Sequence, residues 1–156
     1  MRTDSNRNGQ FWRCPREKVV FLDFDGVLHK GTSETFVKLP LFEDFLRQHS
    51  CVSVVISSSW RNANQRYLER LFSDDIVDRL AGTTMPEGLL PRRDQEIDCW
   101  VRVHRVTDFI ALDDDASLFC PTWPKLFLTD GGKGLVPDDI SALHNWAQRS
   151  SGLGRC

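Results

Sequence analysis

The chain has 156 residues, 40% of them hydrophobic and 27% charged, which fits one globular domain able to bury a core without disulfides or a structural metal and excludes disordered and fibrous classes. Twenty basic against twenty-two acidic residues leave a formal charge of -2, so no global field marks nucleic acid or an acidic membrane as partner. No apolar run approaches the roughly 18 residues of a membrane helix, and the polar opening "MRTDSNRNGQFWRCPREK" has no apolar leader core, so a cytoplasmic location is expected.

Residues 1–16 read as a flexible arm, on which Phe11 and Trp12 could still dock. Residues 17–150 read as a single domain and 151–156 as a flexible tail. Strand-like and helix-like patterns then alternate. "KVVFLDF" is a strand, "LFEDFLRQHS" a helix with Leu41, Phe42, Phe45 and Leu46 on one face, and "VSVVISS" a second strand. "NANQRYLERLFSDD" is helical through Tyr67, Leu68, Leu71 and Phe72, and "DRLAGTT" is a short, weak strand. "MPEGLLPRR" is a loop rich in breakers, and "DQEIDCWVRVHR" a helix with Ile97, Trp100, Val101 and His104 at helical spacing. "TDFIALDDD" and "KLFLTD" are strands, and "VPDDISALHNWAQRS" is a final helix with Pro137 at its start. Short strands of near-continuous apolar residues in the order βαβαβαββα imply a parallel sheet covered by helices on both faces. The five cysteines are scattered, odd in number and without a CxxC pair, which reads as reduced thiols rather than a disulfide framework or a zinc site.

Three of the five expected strands end in polar groups: Asp23 and Asp25 after "VVFL", Ser57 to Ser59 after "SVVI", and Asp113 to Asp115 after "FIAL". In a parallel sheet these ends share one edge, where such folds bind ligands. Carboxylates gathered there would repel one another and raise their pKa values unless a hard divalent cation sat between them, and an all-oxygen site favours Mg²⁺.

"VVFLDFDGVL", "VVISS", a basic residue in "PRRDQEI" and "FIALDDD", in that order, resemble the four motifs of the haloacid dehalogenase (HAD) superfamily of phosphatases and phosphotransferases. With "VVISSSWR", "EIDCW" and the turn "GGKGLV", the chain is similar, over about residues 18 to 146, to the small HAD branch associated with RNA-repair proteins. The resemblance implies a Rossmann-like three-layer sandwich on a five-stranded parallel sheet. It also implies a Mg²⁺-dependent phosphomonoester hydrolase that works through an aspartyl-phosphate. In that reading Asp23 is the nucleophile. Asp25 protonates the leaving oxygen, then activates water, and lends its backbone carbonyl to the metal. Gly26 permits the turn that follows, and Ser57 bonds a phosphate oxygen. The metal set is Asp23, Asp25, Asp114 and, as runner-up to Asp114, Asp113. Asp115 is expected to cap a turn.

Ser58 and Arg61 are candidates for gripping an anionic substrate, although Ser58 or Ser59 could equally cap the next helix and Arg61 could be a solvated charge. Where the superfamily usually carries a Lys, this chain offers Arg92 or Arg93, of which Arg93 heads the helix; Lys125 and Lys133 are distant alternatives. That departure keeps open a second reading, a catalytically silent phosphate-binding or interaction module. The four histidines show no ligand spacing, and only His29 lies near the DxDG loop. The segments from Gly26 to Leu41 and from Arg61 to Arg93 leave no room for a large cap, so a minimal (C0-type) cap is expected. Such an open site suits a large phosphorylated substrate, a nucleic-acid end or a phosphoprotein, or a protein partner that supplies the cap. No membrane partner is expected.

Overall fold

The computed structural model describes residues 10–31 and 33–149. Five strands, β1 (Lys18–Leu22), β2 (Val52–Ile56), β3 (Leu80–Thr83), β4 (Asp108–Asp113) and β5 (Leu126–Leu128), form one all-parallel sheet in the order β3-β2-β1-β4-β5. The helices are α1 (Leu39–Gln48), α2 (Gln65–Arg70), α3 (Arg93–His104) and α4 (Pro137–Gln148), with single 3₁₀ turns at Ser59–Asn62, Val77–Arg79 and Ala116–Leu118. The expected Rossmann-like three-layer sandwich is the observed one.

Side chains along β1 alternate between the two faces of the sheet. Val20 and Leu22 pack in a core with Phe42, Phe45, Leu46, Leu68 and Leu143 from α1, α2 and α4, whereas Val19 and Phe21 pack with Ile97 and Trp100 of α3. Every residue of β1 and β2 is buried, which is why both strands are predominantly apolar. Lys18 and Ser53 are the polar exceptions; the Lys18 ammonium is neutralised by Asp108 at the start of β4, and Ser53 Oγ accepts from Arg16 N–H at 2.8 Å.

Register carries the sheet's consequence for function. Leu22 is level with Ile56 on one side and Leu112 on the other, and the ladder runs one step further. Asp23 N–H donates to Leu112 O, Ser57 N–H to Leu22 O and Thr129 N–H to Asp113 O. Asp23, Ser57, Asp113 and Thr129 therefore stand side by side at the carboxyl edge. Between β1 and β4 the chain changes direction across the sheet, and such a switch point opens a crevice at that edge.

One element differs from expectation, and the arm takes the alternative left open for it. The second helix is shorter than residues 62–75, because Ser73 gives both its N–H (2.9 Å) and its hydroxyl (2.5 Å) to Glu43 of α1, which draws the chain out of helical geometry. The described part of the expected arm is docked. Gln10 O accepts from Thr83 N–H (2.9 Å), Trp12 N–H donates to Ala81 O (2.9 Å), and Phe11 stacks on His104 at 5.3 Å. Residues 1–9 and the expected tail lie outside the described residues. Among the described residues, Cys14 and Cys120 are free thiols. Among the described residues no helix is long and apolar enough to cross a membrane.

Candidate active site

The site begins with the alternation of "DFD". Phe24, between the acids, is fully buried and packs against Phe36, Trp60 and Phe72, at ring distances of 5.7, 5.9 and 6.3 Å. With Phe24 held in the core, Asp23 and Asp25 are left at the strand end. One ligand oxygen from each of Asp23, Asp113 and Asp114 lies within 4.8 Å of the others, the pattern of a cation site.

Asp23 is 6% exposed. Burial first, then the charge of Asp113, push its carboxyl up from the usual carboxylate range to about 8, against the pull of Arg93. Asp114 is raised as well, by burial and by Asp113. Three acids this close need positive charge to stay ionised together. Part of it comes from Arg93 at the head of α3, whose Nη1 donates to Asp113 Oδ2 and lies 3.5 Å from Asp23 Oδ1. Burial disfavours the Arg93 charge, but the two aspartates outweigh it and hold the guanidinium protonated. Arg92, in contrast, turns outward to Asp94. Lys125 lies over the Phe109 ring and Lys133 pairs loosely with Asp130, so Arg93 is the cation of the cluster.

The two aspartates at the end of β4 are held differently. Asp113 has both oxygens engaged, Oδ2 by Arg93 and Oδ1 by Asp115 N–H at 3.0 Å. Asp114 sits in a cradle of glycines: a Cβ at Gly26 would come within 2.2 Å of its Oδ2, and one at Gly131 within 2.4 Å. Gly26 has φ +76°, so both its conformation and its closeness to Asp114 require glycine. Asp115 accepts from Ser117 N–H (3.0 Å) and caps the following turn, as expected.

On the other side, Asp25 Oδ1 is 2.7 Å from His29 Nε2. His29 is fully buried and stacked on Phe36 at 5.0 Å, so it fixes the orientation of the Asp25 carboxylate. Ser57 is 1% exposed beside Asp23 at the strand edge. Ser58 accepts from Trp60 N–H (3.3 Å) and is the cap that the sequence left as its alternative role. Arg61 is buried, and its guanidinium bonds the carbonyls of Met85 (2.8 Å), Ser57 (2.9 Å) and Ser58 (3.2 Å) and Glu96 Oε1 (3.1 Å). That staple between the ends of β2 and β3 and the start of α3 differs from the expected grip on substrate.

Three participants were not singled out in the sequence. Thr129 Oγ1 donates to Gly26 O at 2.9 Å and ties the DxDG loop to the end of β5; the polar end of "KLFLTD" carried that signal. Gly131 was visible only as one glycine of a turn. Glu96, one helical turn beyond Arg93, is buried against Arg61, and nothing in its spacing separates it from a solvated helix acid. The segments after β1, Asp23 to Lys38, and after β3, Thr84 to Arg92, hold no helix and no regular strand among the described residues, so these segments place no folded cap over the cluster.

No curated protein and no solved structure gives a significant match. A family model described as the HAD domain in Swiss Army Knife RNA repair proteins matches residues 19–140, from β1 into α4, and takes in every residue of the acidic cluster. The chain belongs to this family of HAD domains.

Proposed function

We propose that the protein is a Mg²⁺-dependent phosphomonoester hydrolase that works through an aspartyl-phosphate on Asp23 and acts on phosphorylated nucleic-acid ends. The observation that carries the reading is the pairing of opposites around Asp23: a buried carboxylate flanked by Asp113 and Asp114, with one guanidinium 3.5 Å away. A structural acid would gain nothing from two like charges at this distance, whereas a nucleophile that meets a phosphate and a cation needs both.

The donor set fits a hard cation. Asp23, Asp114 and the backbone carbonyl of Asp25 would hold Mg²⁺, with Asp113 as the reserve because both its oxygens are engaged. A bound Mg²⁺ would neutralise phosphate charge and keep Asp23 ionised. Asp23 then attacks phosphorus, the bond from phosphorus to the leaving oxygen breaks, and Asp25 gives that oxygen its proton. Asp25, now a carboxylate oriented by His29, takes a proton from water. That water attacks the phosphoryl group, and inorganic phosphate leaves while Asp23 is restored. Arg93 balances charge on Asp23 and Asp113 throughout, and Ser57 is suited to bond a phosphoryl oxygen.

The lack of a cap element among the described residues and the RNA-repair description of its family support a large substrate with an accessible end. The test is phosphate release from p-nitrophenyl phosphate and from 3'- and 5'-phosphorylated RNA and DNA ends, with and without Mg²⁺, beside Asp23→Asn. Turnover is expected to need Mg²⁺ and to fall by about 10³-fold or more in Asp23→Asn. A purified, folded protein that binds Mg²⁺ and turns over none of these substrates would favour the silent phosphate-binding module instead.

A further inference from the structure

A cleft of about 500 Å³ opens beside Arg93, walled by Arg61, Glu87, Leu89, Leu90, Arg93 and Glu96. Its size is that of a small-molecule site, where cavities run to roughly 300–1,000 Å³. Arg93 belongs to two places at once, because the side chain that lines the cleft also stands 3.5 Å from the nucleophile. A substrate with its phosphate on Asp23 therefore has this cleft beside it for the group it carries.

Glu96 is 4% exposed; its Oε1 is taken by Arg61, while its Oε2 is buried with no hydrogen-bond partner among the described residues. A buried carboxylate oxygen without a donor is costly, and a ligand N–H or O–H in the cleft removes that cost. Glu87 adds a second acceptor. Arg92 also lines the cleft, but the three arginines there are already paired, Arg61 with Glu96, Arg92 with Asp94 and Arg93 with Asp113, while Leu89 and Leu90 add apolar contact. Carboxylate acceptors for N–H groups beside apolar walls match the edge and the face of a nucleobase. A phosphorylated side chain on an extended peptide brings backbone N–H groups but no planar ring to set against those walls.

On the reading that Asp23 receives a phosphoryl group, we infer that the cleft between Arg93 and the 87–90 loop seats the terminal nucleoside of a phosphorylated nucleic-acid end, with Glu96 Oε2 accepting a hydrogen bond from its base. The residue specifies the substrate's alcohol, not the chemistry of its phosphate.

The experiment is calorimetric binding, in the presence of Mg²⁺, to Asp23→Asn protein, which cannot turn over. The probes are guanosine 3'-monophosphate, guanosine 5'-monophosphate, ribose 5-phosphate and a phosphoserine peptide. At least one nucleotide is expected to bind about tenfold or more tightly than ribose 5-phosphate, the worth of one good base contact. The ratio is expected to fall towards one in both Glu96→Gln and Leu89→Trp added to that background. Leu89 is 57% exposed, so its replacement leaves the core intact even if Glu96→Gln impairs folding. Equal binding of nucleotide and ribose 5-phosphate, a preference that survives Leu89→Trp, or tighter binding of the peptide would overturn the inference. Binding is read apart from catalysis, so absent turnover of p-nitrophenyl phosphate by the unsubstituted protein would count against the phosphatase reading and not against the cleft.

Discussion

Asp23 is where burial and charge compete most directly. The folded protein holds its proton up to a pH of about 8, whereas the unfolded chain releases it near 3.8. Between those values the folded state binds more protons than the unfolded one, so the stability of metal-free protein is expected to fall as pH rises from about 4 to about 8. Thermal melts across that range in a chelating buffer check this, and Asp23→Asn should flatten the slope. Added Mg²⁺ competes with the proton, so its stabilisation should be larger at pH 8 than at pH 5. Arg93→Ala leaves Asp113 and Asp23 without their cation and is expected to cost on the order of 3 kcal/mol in denaturant unfolding. Arg93→Lys keeps the charge and should cost clearly less. At this scale the acids were legible, because "DFD" and "LDDD" interrupt apolar strands that have no other reason to carry charge. Arg61 was not: its destination is set by carbonyls of Ser57, Ser58 and Met85 that meet only in the folded chain.

The sheet supplies what single residues lack, a common edge. Continuous apolar runs in "VVFL", "SVVI" and "FIAL" announced buried parallel strands, and parallel register is what aligns Asp23, Ser57 and Asp113. Helix α2 was legible only in its middle, because Glu43, far away in sequence, captures Ser73 and ends it. The docking of residues 10–13 on β3 left a sequence trace only at Gly82. A Cβ there would meet Gln10 O at 2.0 Å, so Gly82→Ala should displace this segment. The expected result is a loss of about 1–3 kcal/mol, the range for overpacking a tight contact, and greater solvent exposure of Trp12 by fluorescence quenching. Gly26→Ala acts on the site itself. Its Cβ would collide with Asp114 at 2.2 Å, so Mg²⁺ affinity should drop with little change in helix content by circular dichroism.

Taken whole, the described molecule is a sheet whose carboxyl edge gathers the acids, with two connections above it that hold no helix or regular strand among the described residues. The crevice, the charge balance through Arg93 and the glycine cradle around Asp114 all converge on Asp23. The decisive measurement follows from the two roles proposed for the paired acids. In Asp25→Ala a substrate with a good leaving group needs no acid to depart, but the aspartyl-phosphate has lost its base for hydrolysis. Intact-protein and peptide mass spectrometry after Mg²⁺ and p-nitrophenyl phosphate should then show an adduct of about 80 Da, one phosphoryl group, on the peptide that contains Asp23. The same treatment of Asp23→Asn should show none. Turnover that survives in Asp23→Asn, or a phosphoryl group found on any other residue, would contradict the account.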